Sequence, residues 1–453
     1  MIDRSTAPVA GEKLRFNLPE IKELKLANGI KLFFVRKQKL PIVFTEVLFS
    51  AGSKFDPLEK RGLGYLASLL IDEGAGEYSS LELNGEFEKL GSVSSVTSNH
   101  DLISMSLLSL KENFNRSLEL LSKIILTPRF EEEDFNREKK KVINRLLQLK
   151  DESSFIASSA FDKRIYGDSY YASPEIGYEY SVRDISNSDV KKFYGDNINP
   201  ENANLIVVGN LTENEAVDQF DKYLGGWQST PGKELSFETP KRNPTKFYFV
   251  NKENSPQSEI RVGHIAKNRN APDYIPAKIM NTILGGQFSS RINLNLREAK
   301  GFTYGAHSNF QYYQQAGAFE VSTAVNTDNT GAAISEIIKE LIGIRENISY
   351  KEIELAKSYL IKQFPSRFET YSQIAKNIGQ LIIHKRPLSE LEEYTEAIES
   401  ATSEEISASA VENIFPDELV VVAVGDRSKI SPQLADLFGK DAVELNPDGN
   451  PLT

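Results

Sequence analysis

The sequence predicts an α+β fold of two homologous lobes, each a mostly antiparallel sheet with helices packed on one face, which face each other across a cleft. The chain has 453 residues, more than one ordinary hydrophobic core accommodates. The order of predicted strands and helices in the first half returns in the second. The segments that close the halves, NLIVVGNLTENEAVDQFDKYLGG and ELVVVAVGDRSKISPQLADLFGK, correspond almost position for position. A repeat this long indicates paired lobes, not a solenoid.

The first lobe is predicted to open with a hairpin, because Asn28-Gly29 separates two alternating apolar segments. Periodicity then predicts a strand in PIVFTEVLFSAGS, helices at 59–73 and 80–90, two strands within 91–110, and helices at 111–126 and 131–150. The lobe closes with a buried strand and a helix that Gly225-Gly226 is expected to cap.

The second lobe is predicted to follow the same plan. The strands fall within 245–267 and 301–325, and the helices at 272–300, with a break at Gly285-Gly286, and at 329–345 and 350–363. Between the lobes lies a polar stretch that contains three prolines, which is typical of a linker. We therefore expect the following divisions: an N-terminal extension 1–19, an N-terminal lobe 20–228, a linker 229–245, a C-terminal lobe 246–442 and a C-terminal tail 443–453.

Composition excludes several classes of function. A net charge of −11 and a pI near 5.2 argue against a nucleic-acid partner, since binding phosphates requires clustered Lys and Arg. No apolar run is long enough to span a membrane. The chain has no cysteine, and no two of its four histidines have the spacing of a helical metal site. We expect a bacterial protein, periplasmic or exported if a signal peptide has been removed and otherwise cytoplasmic.

Several ordered segments resemble the pitrilysin/insulinase-type zinc peptidases, in particular half-size members similar to mitochondrial processing peptidase subunits. They are LANGIKLFFV, GSKFDP, RGLGYLASLLIDEGA, YGDSYYASPEIG, FYGDNINPENANLIVVGN and LGGQFSSRINLNLREAKGFTYGAHSNF. The resemblance covers about residues 20–440, and the chain is most similar to the subunit that lacks the zinc motif.

The resemblance implies a zinc motif that has been lost from this chain. Active members carry His-x-x-Glu-His on the helix that corresponds to 61–74, with a glutamate on a later helix as the third ligand. The three motif positions here hold Tyr65, Ser68 and Leu69, and the later position falls at Arg145. None of these supplies a zinc-binding nitrogen or a carboxylate base. We expect no metal on this chain and a structural role for the helix.

A second element of the family is retained. Members that act on peptides use an arginine and a tyrosine seven residues apart, and LREAKGFTY supplies Arg297 and Tyr304. We expect Arg297 in the last helical turn, Gly301 at the C-terminal cap, and Tyr304 in the following strand. A guanidinium and a phenol would donate hydrogen bonds to a substrate carbonyl or its oxyanion. The alternative is structural: an Arg that favours the helix dipole and a Tyr packed in a sheet.

The resemblance also implies a peptide-binding edge strand at 91–100. In the family this strand pairs with the backbone of an extended substrate. The candidate residues are small and mostly polar: Ser92, Val93, Ser94, Ser95, Val96 and Thr97. The alternative is an ordinary exposed edge strand protected by polar residues.

These observations predict the non-zinc subunit of a heterodimeric zinc endopeptidase. Its partner would be a homologous chain with the zinc motif, its substrate an extended peptide, and zinc the cofactor of the partner only. Alone, the chain is expected to be inactive. The alternatives are a catalytically inert scaffold and a solitary peptide-binding protein of the same fold.

Overall fold

The computed structural model describes residues 16–229, 235–438 and 442–452. Its strands form two six-stranded sheets. The strands of the first sheet are β1 Ile21–Lys25, β2 Lys31–Arg36, β3 Ile42–Phe49, β4 Val93–Ser98, β5 Ile103–Leu110 and β6 Ala203–Gly209. Those of the second are β7 Lys246–Asn251, β8 Gln257–Ala266, β9 Ala306–Tyr312, β10 Gly317–Asn326, β11 Val420–Gly425 and β12 Val443–Leu445.

The two sheets share one topology over five strands. The orders are β1-β2-β6-β3-β5-β4 and β12-β7-β11-β8-β10-β9, so β2, β6, β3, β5 and β4 correspond to β7, β11, β8, β10 and β9. Both sheets are mostly antiparallel, as predicted, with β2–β6 and β7–β11 parallel. The sixth strand breaks the symmetry, because β1 adds antiparallel to β2 whereas β12 adds parallel to β7. Strand β12 lies within the stretch predicted as a tail.

Sixteen helices are present in the described ranges. They are α1 Leu63–Leu70, α2 Ser80–Lys89, α3 Phe114–Leu126, α4 Glu132–Leu149, α5 Ser153–Tyr166, α6 Glu179–Arg183, α7 Asn187–Asn197, α8 Glu213–Leu224, α9 Tyr274–Leu284, α10 Arg291–Asn293, α11 Thr330–Glu346, α12 Tyr350–Gln363, α13 Tyr371–Ile383, α14 Ser389–Ser400, α15 Ser403–Asn413 and α16 Arg427–Phe438. Every predicted helix is found, and α5–α7 and α13–α15 occupy stretches for which no helix was predicted.

The lobes exchange one helix each. Helix α5, from the first half of the chain, packs on β8 and β11 of the second sheet, and α13, from the second half, packs on β3 and β6 of the first. Side chains alternate along a strand, so Val421 and Ala423 of β11 join one core, whereas Val422 and Val424 join another with α5. Both faces of each sheet are therefore covered, one by helices of its own lobe and the other by a helix from the opposite half.

The first turn and the last helix cap of the first lobe differ from the prediction. Strands β1 and β2 are joined by five residues, not two, because Leu26 N donates to Ile30 O over 2.9 Å and closes a wider turn. Gly29, at φ +96°, supplies the left-handed position. The end of α8 is not held by a left-handed glycine, since Gly225 has φ −60°. Instead, Asn28 Nδ2 donates to Leu224 O over 2.9 Å.

The predicted extension and linker lie partly outside the described residues, which exclude 1–15 and 230–234. The described part of the linker packs against the first lobe, with the Phe237 ring 5.3 Å from that of Tyr171. Among the described residues, no helix is long and apolar enough to cross a membrane.

Candidate functional site

Helix α1 is the helix at which the resemblance places the family's zinc motif, and it is built into the core. Asp56 accepts hydrogen bonds from Gly62 N and Gly64 N, at 2.8 and 2.7 Å, and so satisfies two donors at the start of the helix. Leu66 and Leu70 are fully buried. Ser68 is 2% exposed, and its hydroxyl donates to Tyr65 O and to Ser98 Oγ of β4. The helix therefore anchors the edge strand, in keeping with the predicted structural role.

The residues at the remaining motif positions do not form a metal site. Tyr65 and Leu69 are partly buried and pack against the apolar core of the first lobe. Arg145 lies on the exposed face of α4, where Nη1 donates to Glu152 Oε1 over 2.8 Å. The acid that α4 buries is Glu138, and its carboxylate is engaged by Lys141 at 2.7 Å and Arg137 at 3.1 Å. In the described ranges, no group of three His, Asp or Glu residues is arranged to hold a metal ion.

The candidate peptide-binding strand is an open sheet edge. Strand β4 pairs with β5 alone, so its other backbone edge has no strand neighbour within the described sheet. Val93, Ser95 and Thr97 are exposed, and Ser94 and Val96 are half-buried. Ser92 is different: it precedes β4, is 5% exposed, and its hydroxyl bonds with those of Ser109 and Ser117. The edge available to an extended peptide is therefore Val93–Ser98.

Arg297 and Tyr304 flank a helix end in the second lobe. Arg297 lies in a π-helical segment, Leu294–Ala299, that continues α10. Gly301, at φ +66°, follows as the left-handed residue, and its N–H donates to Arg297 O over 3.2 Å, as the predicted cap requires. The expectation that Tyr304 lies in a strand is wrong, because β9 begins at Ala306. Thr303 Oγ1 bonds with both the N–H and the carbonyl of Gly305, which turns the chain just before the strand.

Both side chains of this pair are open to solvent. Tyr304 is 92% exposed, and the Arg297 side chain is 35% exposed. The Arg297 guanidinium lies over the ring of Phe288, 4.5 Å from its centroid, and Phe288 itself is 65% exposed. Leu294, on the same segment, is also exposed. Phe288, Leu294 and Arg297 therefore form a surface patch of apolar and cationic groups. The exposed Tyr304 follows shortly after the end of the same helical segment.

Some of the predicted site residues contact one another in the structure, and others do not. It links Ser68 to β4 through Ser98, so the degenerate helix and the edge strand form one unit. In the described part of the chain, no hydrogen bond or ion pair connects Arg297 or Tyr304 to α1 or β4. The two halves of the predicted site are thus separate surfaces of this molecule.

The structure contains a buried polar network between the lobes that the sequence did not predict. Asp101 accepts hydrogen bonds from Tyr171 Oη at 2.9 Å and from Gln314 N at 2.8 Å. Lys54 Nζ lies 3.5 Å from Asp101 and donates to Gln314 Oε1 over 2.7 Å. Lys54 and Asp101 are 7% and 4% exposed. The partners are scattered along the chain, so no local sequence signal marks them.

Comparison with known proteins agrees with this architecture. Residues 34–173 match the family model "Insulinase (Peptidase family M16)", and residues 184–360 match "Peptidase M16 inactive domain". A crystal structure of a peptidase M16 inactive domain from Pseudomonas fluorescens superposes with a TM-score of 0.85, at 23% identity, over 90% of this chain and 98% of that one. The two-lobed α+β fold is therefore that of the M16 peptidases.

Curated relatives carry names of both active and inactive proteins. "Uncharacterized zinc protease YmxG" of Bacillus subtilis is 22% identical over 79% of this chain and 87% of its own length. "Non-peptidase homolog YmxG" of Helicobacter pylori is 22% identical over 76% and 79%. The yeast "Mitochondrial-processing peptidase subunit beta" is 20% identical over 91% and 93%.

The class of protein is thus defined by the two repeated lobes and by the two family models that match them. The chain belongs to the insulinase (M16) peptidase family. Its sequence contains no His-x-x-Glu-His.

Proposed function

We propose that this chain is the non-zinc subunit of a two-chain zinc endopeptidase. Its homologous partner carries the zinc motif, and this chain contributes surfaces that bind the peptide substrate. The observation that carries the proposal is the exposed patch of Phe288, Leu294 and Arg297, followed in the chain by Tyr304, with exposures from 35% for Arg297 to 92% for Tyr304. An apolar and aromatic cluster kept at a protein surface is typical of a contact site.

The chemistry of the patch fits a peptide carbonyl. Arg297 forms an ion pair with Glu298, 3.6 Å from its Nε, but no hydrogen bond from its guanidinium is found among the described residues, so its N–H groups are available to a substrate. The exposed Tyr304 hydroxyl supplies another donor. Two such donors beside a reacting carbonyl stabilise the negative charge that develops on its oxygen. Neither group supplies a metal ligand or a nucleophile, so the attack on the peptide bond belongs to the partner.

The β4 edge supports the same function from the other lobe. A row of unpaired backbone donors and acceptors binds an extended chain with little dependence on sequence. The side chains Val93, Ser95 and Thr97 are small, which allows the two backbones to approach. A name among the relatives, that of a processing-peptidase subunit, also favours a protein that works within a complex.

The test is to mix this chain with a zinc-motif homologue encoded in the same genome. We expect no peptidase activity and no bound zinc in the chain alone, and both in the mixture. The double variant Arg297→Ala, Tyr304→Phe should still assemble, because these side chains are exposed, but should lower turnover by about two to three orders of magnitude.

A matched control is Arg427→Ala with Tyr350→Phe, a second exposed pair in the same lobe, which should leave turnover unchanged. Full turnover in the Arg297 and Tyr304 variant would contradict the assigned role and favour an inert scaffold. Zinc-dependent cleavage by the isolated chain would contradict the proposal as a whole. Peptide binding by the isolated chain, with no effect of any partner, would favour a solitary peptide-binding protein.

A further inference from the structure

A cavity of about 360 Å³ lies where α5, the end of the linker and the second sheet meet. Its wall includes the last turn of α5, the linker residues 241–244, the starts of β7 and β11, and Asn450 near the chain end. Five of its side chains are basic: Lys163, Arg164, Lys241, Arg242 and Lys246. This size is enough for a small organic ligand.

The cavity concentrates positive charge in an acidic protein. The chain has a net charge of −11, yet the cavity wall holds five basic groups against two acidic ones, Asp168 and Glu418. Glu418 forms an ion pair with Arg242, whose Nε lies 2.6 Å from the Glu418 carboxylate. In the described ranges, no carboxylate lies within ion-pair distance of the other four cations. The wall therefore has an excess of positive charge that the described protein does not neutralise.

Arg164 is the clearest sign of a missing ligand. Its guanidinium lies over the Tyr248 ring, 5.7 Å from the centroid, and its Nε is buried without a hydrogen-bond acceptor among the described residues. A buried guanidinium donor without an acceptor is costly, and native proteins rarely leave one. Lys163, beside it, is held by Asn450 Oδ1 at 2.7 Å and Asp448 O at 3.1 Å. Burial and the adjacent Arg164 charge both lower the pKa of Lys163.

His264, on the cavity wall, adds no charge near neutral pH. Its Nε2 accepts from Phe415 N at 3.2 Å, and its Nδ1 lies 3.0 Å from Ile265 O, which assigns the proton to Nδ1. Burial lowers the pKa of His264 to about 4. The histidine is therefore neutral, and the charge of the cavity comes from the lysines and arginines alone.

A structural role for the basic groups accounts for only part of this arrangement. Cations near the end of α5 are favourable to the helix dipole. However, Arg164 bonds to none of the last carbonyls of α5, and Lys241 and Lys246 come from other segments. Basic side chains from two distant stretches of the chain, 163–164 and 241–246, converge on one space.

We propose that this cavity binds a small anion with two or more negative charges, a phosphate ester or a polycarboxylate. Arg164 supplies the buried donor, and Lys163, Lys241 and Lys246 supply further charge. Because α5 belongs to the first half of the chain and the other walls to the linker and second half, a bound anion would also tie the halves together. The site is independent of the proposed pairing with a zinc subunit.

The test is calorimetric titration of the full chain with sodium pyrophosphate and, separately, with trisodium citrate, at an ionic strength held constant with NaCl. We expect binding at one site, a rise in melting temperature, and weaker binding as NaCl is raised. Arg164→Gln should weaken binding at least about tenfold, since a hydrogen bond to a charged group is lost. Lys241→Gln, at an exposed position that does not affect folding, should weaken it by about threefold or more.

Lys192→Gln, an exposed lysine on α7, is the control and should leave affinity unchanged. Binding of pyrophosphate alone identifies a phosphate site, and binding of citrate alone identifies a polycarboxylate site. Binding of both identifies a site that selects its ligand by negative charge and not by chemical group. If neither anion binds, or if affinity is the same in wild type, Arg164→Gln and Lys241→Gln, the proposal is wrong. Should Arg164→Gln fail to fold, Lys241→Gln decides.

Discussion

His100 is a buried histidine at the turn between β4 and β5, where it touches both lobes. It is 4% exposed, its Nε2 lies 2.9 Å from Ser173 O, and its ring packs 5.0 Å from that of Tyr313. Glu175 Oε1 lies 3.0 Å from Nδ1. Burial lowers the pKa of His100, but Glu175, the Ser173 carbonyl and Asp162 together outweigh it, so the pKa is raised above its ordinary value.

This raised pKa predicts a pH-dependent contribution to stability. A histidine with a raised folded-state pKa stabilises the fold fully below its unfolded pKa of about 6.5 and loses that contribution as pH rises through the folded value. His100→Gln should therefore destabilise the protein more at about pH 5.5 than at about pH 9. Denaturant unfolding at both pH values measures the difference, and the exposed His307→Gln is the control. An equal loss at both pH values would contradict the assignment.

The residues at the expected motif positions form ordinary structural contacts. Ser68 now bonds to Ser98, and Arg145 points to solvent and pairs with Glu152. At the positions where the resemblance places metal ligands, the side chains of this protein contribute to packing and surface charge.

At the scale of elements, α5 and α13 are the two helices that cross between halves. Phe161 of α5 is fully buried against the second sheet, and a Cβ on Gly263 would lie 2.8 Å from its ring. The absence of a side chain at Gly263 therefore makes room for the Phe319 carbonyl of β10, which would lie 1.9 Å from such a Cβ, as well as for the helix. Gly379 of α13 likewise faces Leu48 and Ile206 of the first sheet.

Truncation of Phe161 tests how much the packing of α5 on the second sheet contributes to stability. Phe161→Ala should lower the free energy of unfolding by about 3–5 kcal/mol, because a large side chain is removed from a site that is closed on all sides. Denaturant unfolding measures the loss. Leu147→Ala on the exposed face of α4 is the control, with an expected change within about 0.5 kcal/mol. A similar small change for Phe161→Ala would mean that α5 is not required to hold the second sheet.

At the scale of the whole molecule, the exchange of α5 and α13 makes the halves depend on each other. One apolar core includes Phe33, Val35 and Ile206 of the first sheet together with residues of α13 and the second sheet. Separating the halves would expose this core. We therefore expect one calorimetric unfolding transition for the chain, and two well-separated transitions would contradict this account.

The Asp101 network should contribute to that single transition. Asp101→Ala would leave Lys54, which is 7% exposed, buried without its carboxylate, and would remove the acceptor of Tyr171 and Gln314. We expect a loss of about 3–5 kcal/mol, spread over both lobes. Asp184→Ala, at an exposed position, should change little. The measurement is amide hydrogen exchange in both sheets. A loss of protection confined to the first lobe would argue against the Asp101 network as a link between the lobes.

The sequence by itself determined the repeat, the order of most strands and helices, the family, and the absence of any His-x-x-Glu-His segment. These features depend on local periodicity, glycine positions and the chemistry of a few side chains, all of which are readable along the chain. Helices α5–α7 and α13–α15 lie in segments for which no helix was predicted. Tyr304 was expected within a strand, but it lies in the turn before β9.

Only the tertiary structure decided how the halves interlock. Which sheet α5 covers, how Asp101 meets Gln314 across 213 positions of sequence, and why Lys163, Arg164, Lys241 and Lys246 share one cavity depend on contacts between distant segments. No local pattern encodes such contacts, because they arise when apolar faces with no partner nearby in sequence find each other in the folded chain.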